Sequence, residues 1–87
     1  MQEKWILGIR VNNREENSRK IQYTLSKFGC SIRTRLGINE DDQPGGSEYS
    51  LILLELTGDP SEFPKLMEEL SKINGISVEK MVFLRPG

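Results

Sequence analysis

The chain is 87 residues long, carries 12 Lys plus Arg against 13 Asp plus Glu for a formal net charge of −1, and has one cysteine and no histidine. That length allows one domain with a modest core, and the charge balance argues against a protein that neutralises nucleic-acid phosphates. Cys30 alone excludes an intramolecular disulfide and suits a reducing compartment, while the missing histidine removes the usual general base, the nucleophile triads and the most common metal ligand.

The opening segment MQEKWILGIRV has too short an apolar run for a signal peptide, and no stretch approaches the roughly 20 apolar residues of a membrane span. The expectation is a single cytoplasmic domain over residues 1–87. Residues 5–11, WILGIRV, read as a strand with Trp5, Leu7, Ile9 and Val11 on one face and Ile6, Gly8 and Arg10 on the other. The next stretch, NNREENSRKIQYTLSKFG, changes to a helical period. Asn13 with Glu16 three residues on makes a capping box. Asn17, Ile21, Leu25 and Phe28 form the stripe, and Gly29 is placed to end the helix in the left-handed region.

From Ser31 to Ile38 the pattern alternates. It predicts a half-buried strand with Ile32, Thr34, Leu36 and Ile38 toward the helices and Arg33, Arg35 and Gly37 away from them. Residues 39–48, NEDDQPGGSE, have no period and read as a loop. Tyr49 to Thr57 is the third strand, with Ser50, Ile52, Leu54 and Leu56 on one face and Tyr49, Leu51, Leu53 and Glu55 on the other. It is apolar at nearly every position, so both faces are expected to be covered. A second helix follows, capped either by Asp59 with Pro60 at its first position or by Ser61. Ser61 is preferred, because it leaves Pro64 inside the first turn. Phe63, Leu66, Met67, Leu70 and Ile73 make its buried stripe, and Asn74-Gly75 stops it. The last strand, ISVEKMVFL, slips in period near Glu79-Lys80, which signals a bulge or a change of environment.

The order β-α-β-β-α-β is that of an α+β, ferredoxin-like sandwich: a four-stranded antiparallel sheet with two helices on one face. Right-handed crossovers put the first and third strands at the centre and the Ile32 and Val78 runs at the edges. The helices then cover Leu7, Ile9, Ile52 and Leu54.

Catalytic chemistry finds no support. No GxGxxG, P-loop or GxSxG motif occurs. Glu40, Asp41 and Asp42 sit in a Gly-Pro loop and read as a solvated turn, since a hard cation needs about six converging oxygens. Cys30 reads as a small residue packed at the start of a strand. An RNA-recognition sheet stacks bases on aromatics of its central strands, and here only Tyr49 is offered. No catalytic residue, metal ligand or cofactor is expected.

The side of the sheet without helices would carry Ile6, Leu51, Leu53, Met81 and Phe83 among Arg10, Arg33, Arg35 and Glu55. Such an apolar patch rarely stays wet on a small monomer. Burying roughly 100 Å² of apolar area on each side chain would supply on the order of 10 kcal/mol per subunit before association costs. The expected partner is a second copy, with Arg10, Arg33 and Arg35 pairing acids at the rim, in a dimer or tetramer. Two alternatives stand beside this: the face docks a different protein, or the chain is a small ferredoxin-like enzyme with its cleft between sheet and helices. A second candidate site is the turn Val11-Asn12-Asn13-Arg14 before the first helix, whose exposed amides favour an anion or carboxylate. The plainer reading is that Asn12 and Asn13 only form the turn and cap.

Three segments together carry a family resemblance: VNNREENSRKIQYTLSKFG after the first strand, Arg35-Leu36-Gly37-Ile38 closing the second, and Gly75-Ile76-Ser77-Val78 with Lys80 opening the last. On these, and over essentially its whole length, the chain resembles the iron-only hydrogenase system regulators, short bacterial proteins classed with ACT-like domains. It departs from them in the long acidic loop after Ile38 and in EFPKLMEELSK of the second helix, where that family has small residues. The resemblance implies a non-catalytic regulator that assembles into dimers or tetramers. It also implies a small effector such as an amino acid bound at a subunit interface near the first turn, hence at Asn12, Asn13 and Arg14. The metal site of the related nickel-responsive repressor domain uses histidines and does not carry over.

Overall fold

The structure is a computed structural model and describes residues 3–12, 15–39 and 49–86. The alternating run that begins the chain forms β1 (Glu3–Asn12), and the helical period that follows forms α1 (Glu15–Lys27). A short 3-10 turn (Gly29–Ser31) leads into β2 (Ile32–Asn39); β3 (Tyr49–Leu56), α2 (Glu62–Ser71) and β4 (Ile76–Leu84) complete the chain. The strands make one antiparallel sheet in the order β2-β3-β1-β4. The first and third strands are therefore central, as the crossover rule requires, and the fold is the ferredoxin-like sandwich.

Both helices pack on one face. Trp5, Leu7, Ile9 and Val11 of β1, with Leu54 and Leu56 of β3, bury against Ile21 and Leu25 of α1 and Phe63, Leu66 and Leu70 of α2. Trp5 meets Phe63 at 5.6 Å between ring centroids with the rings tilted by 54°, a geometry favoured by the ring quadrupoles. Ile52, Phe28, Met67 and Ile73 pack around this core half-buried. The interior between sheet and helices is thus filled mainly by apolar side chains, with Asn17, Thr24 and Ser31 the buried polar residues among those described.

Four local expectations change. In β2, Ile32 pairs with Leu56 on the helix side, but a bulge between Ile32 and Thr34 advances the register by one. From there Thr34 lies opposite Glu55, Leu36 opposite Leu53 and Ile38 opposite Leu51, all on the open face, while Arg35 lies opposite the buried Leu54. One inserted residue turns over every side chain beyond it. Leu36 and Ile38 are therefore on the open face, 52% and 40% exposed. Arg35 is on the helix side, where its guanidinium donates to Gln22 Oε1 at 2.9 Å.

Gly29 does not take a left-handed conformation; among the described residues only Gly58 and Gly75 have positive φ. The chain leaves α1 through the 3-10 turn instead, with Ser31 N–H donating to Phe28 C=O at 2.9 Å. Cys30, in that turn, is exposed rather than packed. At the start of α2, Ser61 occupies the position before the helix, but its hydroxyl caps nothing. The capping acceptor is Asp59, whose Oδ1 accepts from Ser61 N–H at 2.9 Å and from the Ser61 hydroxyl at 2.8 Å. Pro64 is accommodated because Pro60 C=O, its would-be acceptor, takes the Phe63 N–H at 3.2 Å. The period slip in β4 is a change of environment and not a bulge: its pairing with β1 runs unbroken from Glu3–Leu84 to Val11–Ile76. Lys80 faces the helix side and lies over the Trp5 ring at 4.3 Å, a cation-π contact.

Candidate functional site

Two places merit a functional reading, and the fold assembles both from segments distant in sequence. The first is the open face of the sheet. Partnered residues on adjacent strands share a face, so the registers define its rows: Thr34, Glu55, Ile6 and Met81; Leu36, Leu53, Gly8 and Glu79; Ile38, Leu51, Arg10 and Ser77. Lys4 and Phe83 form a further row at one end, Asn12 and Tyr49 at the other. Leu36, Ile38, Leu51 and Leu53 make a contiguous apolar block that Ile6, Met81 and Phe83 extend diagonally. The bulge enlarges this block by two residues that the alternation of β2 assigned to the core. Gly8 keeps the middle of the face low, since a Cβ there would sit 3.7 Å from Leu53 Cδ2.

Charged groups lie toward the margins of this block. Glu55 accepts from Lys4 Nζ at 2.8 Å and from Thr34 Oγ1 at 2.9 Å. The Lys4 contact first, and then the Thr34 hydroxyl, hold its carboxyl below the ordinary range, with Arg33 adding a smaller attraction. Arg10 stacks over Tyr49 at 4.8 Å. Of the arginines expected on this face, Arg10 is there, Arg33 is the extra residue of the bulge, and Arg35 belongs to the opposite side.

The second place is the corner where β1 enters α1. Asn13 and Arg14 lie outside the described residues, but Asn12 does not. Its N–H donates to Gly75 C=O at 3.1 Å, which ties the end of β1 to the turn after α2. Asn17, on the apolar stripe of α1, is only 7% exposed. Its Nδ2 approaches Asn12 C=O at 3.5 Å and occupies space that a side chain at residue 75 would need. Gly75 has φ +84, and a Cβ there would come within 2.6 Å of Asn17 Nδ2. Glycine is thus required both by backbone conformation and by the neighbouring amide. A cleft of about 240 Å³ opens here, lined by Asn12, Glu16, Asn17, Lys20, Asn74 and Gly75, with Lys20 and Glu16 paired at 3.0 Å. Its amides, with the Lys20 ammonium and the Glu16 carboxylate, can hold a small polar or zwitterionic molecule. Lys20, Asn74 and Gly75 are additions to the sequence-based set. Asn17 was visible as a polar residue on an apolar stripe.

Among the described residues no cluster of three or more His, Cys, Asp or Glu is placed to hold a metal ion. The acids Glu40, Asp41 and Asp42 lie outside the described residues. No described helix is long and apolar enough to cross a membrane.

No protein-family model matches the chain, nor does any curated protein. Solved structures do. An uncharacterized protein of Thermotoga maritima, TM1266, superposes with a TM-score of 0.80 at 25% identity, over 95% of this chain and 100% of that one. The ACT domain of GTP pyrophosphokinase from Chlorobium tepidum superposes with a TM-score of 0.64 at 22% identity, over 90% and 96% of the two chains. A formyltetrahydrofolate deformylase from Pseudomonas putida matches with a TM-score of 0.55 at 19% identity, through 28% of its own length. With the sheet order and helix placement described above, these likenesses establish that the chain has the ACT-like form of the ferredoxin-like fold.

Proposed function

We propose that the chain is a non-catalytic, ACT-like regulatory protein that senses a small effector and self-associates through the open face of its sheet. The observation that carries this reading is the apolar block of Ile6, Leu36, Ile38, Leu51, Leu53, Met81 and Phe83 on a sheet whose other face is already covered. Contiguous apolar surface of this kind on a small domain is typical of an interface. The likeness to the ACT domain of GTP pyrophosphokinase supports a role without catalysis. The corner at Asn12, Asn17 and Gly75, with Asn13 and Arg14 beside it in sequence, is the effector site in this reading. Its amides and Lys20 suit the carboxylate and ammonium of an amino acid. The sequence resemblance makes an iron-only hydrogenase system in a bacterial cytoplasm the first place to seek the regulated target.

The test is a thermal-shift series of the intact chain with each common amino acid and small carboxylate. A ligand at about 100 times its Kd stabilises the folded state by about 2.7 kcal/mol, which raises Tm by roughly 10 °C or more in a domain of this size. One chemical class is expected to do this, and Asn17→Ala is expected to abolish the shift. A flat response across the panel would remove effector sensing from the proposal.

A further inference from the structure

The sheet ends unevenly on the side away from the Asn12 corner. The β1–β3 pairing stops at Ile6–Glu55, while β1 and β4 stay paired as far as Glu3–Leu84. Past Leu56 the chain leaves β3: Thr57 N–H donates to Ser31 C=O at 2.8 Å, and Gly58, at φ +81, turns toward α2. Between the projecting ends of β1 and β4 and the start of α2 lies a cavity of about 500 Å³, in the range that holds a small molecule. The cleft at the Asn12 corner, of about 240 Å³, is far from it: Val11 is about 26 Å from Glu3 along β1.

The floor of this cavity belongs to the core, for Leu56 and Phe63 line it while only 1% and 2% exposed. Leu84, Pro60 and Pro86 add apolar walls, and the charged groups around it are Glu3, Lys4 and Arg85. Two of these are already engaged. Lys4 Nζ lies 2.8 Å from Glu55 Oε2, and Glu3 Oε1 accepts the Trp5 Nε1–H at 3.1 Å. The Arg85 guanidinium has no ionic partner among the described residues. The first amides of α2 are also taken, Ser61 N–H by Asp59 Oδ1, Glu62 N–H by Asp59 C=O and Phe63 N–H by Pro60 C=O. Attraction for an anion here therefore comes from one arginine beside a hydrocarbon floor.

We propose that this cavity binds an apolar monocarboxylate, of fatty-acid or arylalkanoate type, with its tail on Leu56 and Phe63 and its carboxylate on Arg85. A guanidinium fork matches a carboxylate through two parallel hydrogen bonds. One uncommitted cation suits one negative charge, and the Glu3 carboxylate nearby disfavours a phosphate ester or dicarboxylate. The apolar floor favours a tail in proportion to the area it covers. This site is separate from the effector corner and does not depend on it. The chain also carries its own reporter, because its single tryptophan touches both floor and mouth: the Trp5 ring packs on Phe63 at 5.6 Å and its Nε1–H donates to Glu3.

The experiment is a titration of the full chain followed by Trp5 emission, with decanoate, 4-phenylbutyrate, decanol and decyltrimethylammonium below micelle-forming concentrations. At least one carboxylate should saturate, decanol should bind about tenfold more weakly than decanoate, and the cation should give no response. Octanoate should bind about tenfold more weakly than decanoate, for its two missing methylenes. Arg85→Gln should weaken decanoate about tenfold and leave decanol unchanged. Glu3→Gln, which keeps an acceptor for the indole, should tighten decanoate. Leu84 is 60% exposed, so Leu84→Glu should keep the fold by circular dichroism yet lose decanoate, while Leu84→Met retains it. No saturable response to either carboxylate, equal binding of decanol and decanoate, or an unchanged decanoate affinity in Arg85→Gln would overturn the proposal. So would loss of the decanoate response in Asn17→Ala, which would move the ligand to the corner.

Discussion

Replacing Gly75 by alanine tests the corner where β1, α1 and the last turn meet. Two costs add. An alanine held at φ +84 pays about 1 kcal/mol for the left-handed backbone. Its methyl would also stand 2.6 Å from Asn17 Nδ2, nearly an ångström inside contact distance, so the nearly buried Asn17 amide must move and give up its approach to Asn12 C=O. Displacing a hydrogen-bonded group of this kind costs about 1–2 kcal/mol. The expected total is about 2–3 kcal/mol, or roughly 10–20 °C in Tm for a domain of this size. Urea unfolding at fixed protein concentration, followed by the emission of Trp5, measures it. Asn17→Ala separates the two terms, because in that background only the backbone cost of about 1 kcal/mol should remain, leaving a coupling of about 1–2 kcal/mol. A Gly75→Ala cost that is negligible, or equal in both backgrounds, would refute this account of the corner.

Glu55 has its pKa lowered below 4.5 chiefly by Lys4 and then by Thr34. A carboxyl whose folded pKa is depressed contributes stability above its unfolded pKa and loses it as pH falls through the folded value. The wild-type chain should therefore lose Tm on acidification below about pH 4.5 more steeply than Glu55→Gln, and an NMR titration should show the Glu55 midpoint rising in Lys4→Met. Asp59→Ala should lower Tm by removing the acceptor of both Ser61 donors, with Asp59→Asn intermediate between it and wild type. Arg35→Ala should leave the mass in solution unchanged, because Arg35 reaches Gln22 on the helix side; a fall in mass would return Arg35 to the interface.

The element order was legible because each segment carries its own period and stop signal: Trp5 to Val11 alternates, Ile21, Leu25 and Phe28 step by helical turns, and Asn74-Gly75 breaks the second helix. The face of β2 was not. IRTRLGI fits a plain alternation as well as a bulged one, and only the pairing with β3 reveals that Arg33 is the inserted residue. Phe28-Gly29 has the composition of a left-handed stop, yet a 3-10 turn met the same backbone demands. Lys80 interrupts an apolar pattern because Trp5 offers it a ring, a contact that depends on the opposite end of the chain. Of the candidate corner, Asn12 and the buried Asn17 were visible as residues. That Gly75 closes against them follows only from the β1–β4 register.

The central claim is that another copy covers the open face of the sheet, and the mass of Leu53→Glu in solution tests it most directly. Leu53 lies in the middle of the apolar block, next to Leu36 and Gly8, so a carboxylate there would be buried without a partner in the assembly and harmless in a single chain. The wild-type chain should scatter light as a multiple of 9.9 kDa, and Leu53→Glu should lose at least half of that mass while keeping its circular dichroism. A wild-type mass of one chain, or a Leu53→Glu variant that assembles as the wild type does, would contradict it.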